Sequence, residues 1–229
     1  RQSKNRCMAF VARGIYVTGT DTDVGKTAVA VAIVRGLVQA GKRVGVYKPV
    51  ATGGGHDPQA LWEAAGRPLA LAQVCPQLFP APISPPRSAR AAGSIVDDDL
   101  LERGLEPWMR GFDVVVVEGA GGLCSPLSDT RSNADLAARL GFPLVVVDAA
   151  RLGAIGRTMA TETAARSCGL AVAAVVLSQT APLTGSPDDP ASPWRIAHDS
   201  RADLAALLAP LPVAMLPHGG GMIEPPIPI

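Results

Sequence analysis

A chain of 229 residues, 48% hydrophobic and 18% charged, is long and apolar enough to bury one substantial core. Its formal net charge of +1, with neither basic runs nor interleaved aromatics, lacks the footprint of a nucleic-acid or anionic-membrane binder, and no apolar run is long enough to cross a bilayer. Cys7, Cys75, Cys124 and Cys168 are far apart with no Cys-x-x-Cys pair, and His56, His198 and His218 show no metal-ligand spacing with them, so reduced thiols, a cytoplasmic location and a small ligand are expected.

The segment Arg1–Ala12 has no periodic pattern and reads as a disordered N-terminal extension through residue 13, ahead of one domain over 14–229. A first strand over Gly14–Val17 leads into Gly19-Thr20-Asp21-Thr22-Asp23-Val24-Gly25-Lys26-Thr27, and an alanine- and valine-rich helix over Lys26–Ala40 follows. Strand, glycine loop and helix in this order form a phosphate loop, with backbone N–H groups aimed at a phosphate and the helix's positive end adding attraction. Gly25 permits close backbone approach, Lys26 reaches the terminal phosphates, and Thr27 offers a hydroxyl to Mg²⁺. Five residues, where the common pattern has four, separate Gly19 from Gly25, which predicts a larger loop with Thr20 or Thr22 adding a side-chain contact to phosphate.

Further strands are predicted at Val44–Tyr47, Val114–Val117, Leu144–Val147, Val172–Leu177 and Val213–Leu216. Helices are predicted at Gln59–Ala65, Asp97–Arg110, Ala134–Leu140, Ala154–Cys168 and Ala197–Leu208, with Asp97 an N-cap and Gly41 and Gly141 at C-terminal caps. The alternation predicts a single-domain, three-layer α/β/α fold with a mainly parallel sheet and ligands at the strands' carboxyl ends. Three stretches interrupt it: Pro76–Pro86, read as an extended connection; Ala181–Pro193, read as a mobile loop; and an irregular tail from Pro217.

After the second strand, Lys48 stands where its ammonium would reach the anion held by Lys26; Pro49 ends the strand, and Thr52 and Asp57 follow, Asp57 on a loop. Four valines precede Glu118-Gly119-Ala120-Gly121-Gly122. Glu118 occupies the place of the acidic residue that holds Mg²⁺ in phosphate-loop ATPases, and the glycines let a substrate approach the backbone. The segment Arg151–Thr158 opens a helix whose free N–H groups suit a carboxylate, or cap nothing.

The segments Val17–Thr27, Tyr47–Val50, Glu118–Gly122 and Ser125–Asp129, in that order, resemble dethiobiotin synthetase. The resemblance implies a homodimeric enzyme that closes the cyclic urea of dethiobiotin from 7,8-diaminononanoate, CO₂ (or bicarbonate) and MgATP, through a carbamate and a carbamic-phosphoric mixed anhydride. It implies catalytic roles for Lys26 and Lys48, and Mg²⁺ held by Thr27, Asp57 and Glu118. Nucleotide would meet Thr22, Asp23, Val24, Gly25, Lys26, Thr27, Ser178 and Gln179. Substrate would meet Thr20, Lys48, Thr52, Gly119, Gly121 and the helix start Gly153, Ala154, Ile155 and Gly156, the last across the dimer interface. Asp23 stands where the family commonly has glutamate, Ser178-Gln179 where it often places an adenine-reading asparagine, and Pro86 where a histidine is expected. The alternatives are a partitioning or septum-placement ATPase switch, whose extra loop lysine is here Asp21, and a nucleotide-binding paralogue without ligase turnover.

Overall fold

The computed structural model describes residues 14–228, so the predicted N-terminal extension lies outside the described residues. Six strands form one parallel sheet in the order β2-β5-β1-β6-β7-β8: β1 Gly14–Gly19, β2 Val44–Tyr47, β5 Val114–Gly122, β6 Leu144–Ala149, β7 Val172–Ser178 and β8 Val213–Leu216. Two short strands, β3 Ala51–Thr52 and β4 Leu78–Phe79, pair in parallel as a second sheet. Every residue of β1, β2, β6 and β8 is buried. Because successive side chains in a strand point to opposite faces, burial at every position means that helices cover both faces, which is the predicted α/β/α layering.

The helices are α1 Lys26–Gln39, α2 His56–Ala64, α3 Leu71–Val74, α4 Pro85–Ala91, α5 Asp98–Arg103, α6 Asn133–Leu140, α7 Ala154–Ser167 and α8 Pro193–Leu207. All six predicted strands are present, and β5 runs five residues beyond Val117. Asp97 caps α5 by accepting from Leu100 N, and Gly141 ends α6 in the left-handed conformation. Gly41 follows the Ala40 cap with φ 78°.

The predictions fail where proline and tertiary contacts compete with pattern. The segment Pro76–Pro86 is not simply extended: it contains β4, and Pro85 and Pro86 open α4 behind the N-cap Ser84. Proline is well tolerated there because the first N–H groups of a helix have no intrahelical partner. The long helix predicted from Asp97 to Arg110 stops at Arg103, followed by a 3-10 turn over Glu106–Met109. Pro107 cannot donate to a preceding carbonyl, and the Tyr47 hydroxyl, bonded to the carbonyls of Leu100 (2.9 Å) and Leu101 (3.1 Å), fills the space beside Gly104. The α2 helix begins three residues before Gln59, so Asp57 lies in a first helical turn and not on a loop. Its carboxylate suits that end of the helix dipole. The α8 helix likewise starts at Pro193, four residues before Ala197.

Asn133, in the first turn of α6 and fully buried, ties the chain after β5 to the sheet. Its Nδ2 donates to the carbonyls of Ala120, Gly122 and Ser125 at 2.7, 2.9 and 3.2 Å. Its Oδ1 accepts from the Tyr16 hydroxyl at 2.8 Å and the Ala120 N–H at 3.1 Å. Burial, and then Glu118 nearby, hold the Tyr16 phenol well above its ordinary pKa, so it remains a donor.

Two predictions rest on this interior. Asn133→Ala leaves several buried groups without partners at about 1–3 kcal/mol each, so urea unfolding of the variant should show a loss of about 3 kcal/mol or more; a loss near zero refutes the hub role. Burial pushes the Cys75 thiol up to about 11, whereas Cys124 and Cys168 are exposed. Iodoacetamide at pH 8 should therefore alkylate Cys124 and Cys168 in the native protein and reach Cys75 only after denaturation, as read by peptide mass mapping; equal labelling of Cys75 contradicts the packing.

Candidate active site

The phosphate loop leaves β1 at the centre of the sheet, held between its neighbours: Thr20 N donates to Val147 O (2.9 Å) and Leu123 N to Gly19 O (3.0 Å). Asp23 and Gly25 have φ of 57° and 91°, a conformation that aspartate tolerates and glycine favours. Gly25 is required for a second reason, since a Cβ there would lie 2.3 Å from Ser178 Oγ. Lys26 is nearly buried and donates from Nζ to Asp21 O at 2.8 Å, so its ammonium arches back over the loop. Burial lowers its pKa, and neighbouring Lys48 lowers it further, against the pull of Glu118 and Asp57. A nearly buried cation short of a full counter-charge has affinity for a polyphosphate.

The register of β2 on β5 pairs Tyr47 with Val117, which makes the next residues, Lys48 and Glu118, neighbours at the carboxyl edge. Lys48 Nζ lies 2.6 Å from Glu118 Oε1, 3.0 Å from Asp57 Oδ2 and 3.3 Å from Gly119 O. Thr27, at the head of α1, donates to the same Glu118 Oε1 at 2.8 Å. Glu118 is wholly buried and its Oε2 has no partner among the described residues. Burial pulls the Lys48 pKa down, but the carboxylates of Glu118 and Asp57 outweigh it and hold Lys48 protonated. For Asp57 the order is the same: burial raises the pKa, and Lys48 with its hydrogen bond overrides that to keep the carboxylate ionised. One charged cluster thus joins α1, α2, β5 and the end of β2.

A cleft of about 950 Å³ opens over this cluster. Of the residues singled out in the sequence, Thr22, Asp23, Gly25, Lys26, Thr27, Lys48, Thr52, Asp57, Gly121, Ser178 and Gln179 line it. Glu118 forms the floor beneath Thr27 and Lys48. Thr52 is held by β3 through pairing with Phe79. Val24 is buried in the core, and Gly119 sits against the Asn133 and Tyr16 side chains. The Thr20 hydroxyl does not face the cleft: it donates to Asp148 Oδ1 at 2.6 Å. The Gln179 amide is engaged locally, its Nε2 3.1 Å from Met215 Sδ and its Oε1 accepting from His218 N at 3.3 Å. Residues Gly153–Gly156 form the head of α7, away from the cleft lining, with Ala154 buried and Gly153 and Gly156 exposed.

Sequence reading missed three contributors. The cleft also includes His218 and Gly219–Gly221 from the irregular tail, Pro82–Pro85 from the proline-rich stretch, and Pro126. An aspartate at the end of β6, Asp148, bonds the phosphate loop. Asn133 supports the glycine turn after Glu118. Only the last carried a local signal, the Ser132–Asp135 capping box that fixes where α6 begins.

Comparison with known proteins places this geometry in a family. An AAA domain family matches residues 13–216. The ATP-dependent dethiobiotin synthetase BioD of Rhodopirellula baltica is 44% identical over 183 residues, covering 72% of each chain. That of Anaeromyxobacter dehalogenans strain 2CP-1 is 41% identical over 211 residues, covering 90% of each. Among solved structures, the signal recognition particle receptor FtsY from Elizabethkingia anophelis aligns with 91% of this chain and 58% of its own at 17% identity and a TM-score of 0.49, a likeness too weak to bear on the assignment. Identity of this order, carried over most of both chains by the relatives, means that this protein belongs to the dethiobiotin synthetase family.

Proposed function

We propose that this protein is an ATP-dependent dethiobiotin synthetase, a carbon–nitrogen ligase of biotin synthesis that forms a cyclic urea from 7,8-diaminononanoate, CO₂ and ATP. The observation that carries the reading is the cluster of buried Lys48 and Glu118 with the partly exposed Thr27 and Asp57 at the phosphate loop, together with family membership. In the proposed sequence CO₂ adds to one amine to give a carbamate, and a carbamate oxygen attacks the γ-phosphorus with ADP leaving. The second amine then attacks the carbonyl carbon of the mixed anhydride, closing the ring and expelling phosphate. The substrate supplies its own nucleophiles, so the protein has to bind, orient and neutralise.

Lys26 and Lys48 are the residues that would stabilise charge on the transferred phosphoryl group, with the loop N–H groups around Thr22–Thr27. Thr52 and Gly121 would meet the diamine end of the substrate, and the head of α7 over Gly153–Gly156 its distal carboxylate, from the partner subunit of a homodimer. Ser178 and Gln179 border the base. Gln179 reaches adenine only if its amide leaves Met215 and His218, so base reading falls more naturally to the backbone of the tail.

The residues present suit Mg²⁺. Glu118 Oε2 is a buried carboxylate oxygen without a partner, and Thr27 and Asp57 add hard oxygen donors close by. Among the described residues no group of three or more His, Cys, Asp or Glu side chains could hold a metal, and a cation that takes most of its ligands from water and phosphate needs no such cage. When bound, Mg²⁺ would neutralise the β- and γ-phosphates. Among the described residues no helix is long and apolar enough to cross a membrane; a single phosphate-loop domain over 14–229 and a cytoplasmic location complete the proposal.

The direct test is ADP release with MgATP, bicarbonate and 7,8-diaminononanoate, omitting each in turn. ADP should appear only in the complete mixture and in step with the cyclic urea. Slow ADP release indifferent to the diamine would instead support a switch ATPase. Lys48→Gln should reduce turnover by about 100-fold or more. It should also lower stability by about 3–5 kcal/mol, because Glu118 is left buried without its counter-charge. The double variant Lys48→Gln/Glu118→Gln should recover stability without recovering turnover; normal turnover in Lys48→Gln removes Lys48 from the mechanism.

A further inference from the structure

Asp148, the penultimate residue of β6, is fully buried, and its donors come from three places: the phosphate loop, the end of its own strand and the first turns of α7. From the phosphate loop, the Thr20 hydroxyl donates to Oδ1 at 2.6 Å. From the strand's own end, Ala149 N donates to Oδ1 at 2.8 Å. From the first turns of α7, Arg157 Nε lies 3.0 and 3.1 Å from the two oxygens, and the Thr158 hydroxyl lies 3.4 Å from Oδ2. The Arg157 guanidinium then closes the turn that precedes its own helix, donating to Leu152 O at 3.3 Å and Ala149 O at 3.5 Å. It lies directly over Gly153, where a Cβ would be 2.8 Å from Arg157 Nη1.

A carboxylate removed from water this completely is tolerable only while its donors remain in place, so a movement of one donor is felt by the others. Thr20 is the second residue of the loop that would receive the phosphates. Arg157 holds the Leu152 carbonyl at the start of the Leu152–Gly156 turn, whose N–H groups other than that of Ala154, which bonds Arg151 O, are proposed to receive the substrate carboxylate. We propose that Asp148 is a positioning residue that couples the two: ordering of the phosphate loop by nucleotide tightens the head of α7 through Thr20, Asp148 and Arg157, and the reverse follows by linkage. The proposal rests on the reading of the α7 head as the carboxylate seat. The coupling itself concerns nucleotide and backbone alone, and is testable without the diamine.

The experiment compares amide hydrogen exchange of the 149–157 segment with and without Mg²⁺ and the β,γ-imido analogue of ATP. In the unaltered protein the nucleotide should slow exchange there several-fold. Thr20→Val, which keeps the side chain's shape and removes the donor, should abolish that response while the analogue still protects the phosphate loop; Thr20→Ser should restore it. Arg157→Gln interrupts the chain from the other side and should have the same effect, and combining it with Thr20→Val should add nothing. No nucleotide response at 149–157, or a response that survives in both single variants, overturns the coupling. A second readout ties the coupling to the reaction: the analogue should tighten diamine binding by about 5-fold or more in the unaltered protein, and Thr20→Val should bring that ratio toward one. Diamine that binds with a ratio indifferent to Thr20→Val refutes this inference alone. Failure of the diamine to bind at all, with the exchange response intact, overturns the carboxylate seat and leaves the coupling standing.

Discussion

A buried lysine and glutamate in contact, at the carboxyl ends of adjacent parallel strands, are the constraint around which this site is arranged. Neither charge could be buried alone. Together, Lys48 and Glu118 hold the head of α1 through Thr27 and the head of α2 through Asp57. The pairing is incomplete by one oxygen, Glu118 Oε2. The other bonds of the cluster, from Lys48 and Thr27 to Oε1, are short enough to hold the carboxyl in place with that oxygen unpartnered. The stability of the cluster and the proposed binding of Mg²⁺ would then be two aspects of the same arrangement.

Around this cluster, side chains from elsewhere in the chain fix backbone that would otherwise be free. The glycine-rich turn after Glu118 has no polar side chain of its own to anchor it, and three of the five hydrogen bonds of Asn133 go to its backbone, the others to the Tyr16 hydroxyl and Ser125 O. The phosphate loop is held by backbone bonds to Val147 and Leu123 and by the Thr20 hydroxyl on Asp148. These anchors come from β6, from the segment joining β5 to α6, and from the first residue of α6. A central position for β1, with β5 and β6 on either side, therefore supports the loop from both flanks. Parallel sheets commonly carry their ligands at such an edge for the same reason.

Much of this was legible in advance where the code is local. Unbroken aliphatic runs such as Val114–Val117 mark strands covered on both faces, and the loop from Gly19 to Thr27 declares itself because glycine suits the backbone at Gly25 and Lys26 is long enough to arch back to Asp21 O. The failures are equally physical. The prolines at 85 and 86 read as part of an extended connection but open a helix behind Ser84, and Asp97–Arg110 reads as one helix until Tyr47, distant in sequence, fills the space beside Gly104. The tail from Pro217 has no regular structure, yet His218 and the three glycines wall the cleft.

The amino-acid order by itself determined the sheet, the phosphate loop, and the identity of Lys26, Thr27, Lys48 and Glu118 as residues gathered at one edge, because hydrophobic period and loop chemistry are set by near neighbours. Tertiary structure alone decided which atoms meet. It gave Thr20 to Asp148 and not to the cleft, folded the Gln179 amide onto Met215 and His218, and put Lys48 between two carboxylates. Those outcomes depend on strand register and on contacts between distant parts of the chain, Thr20 and Asp148 being 128 positions apart, and no local pattern carries that information.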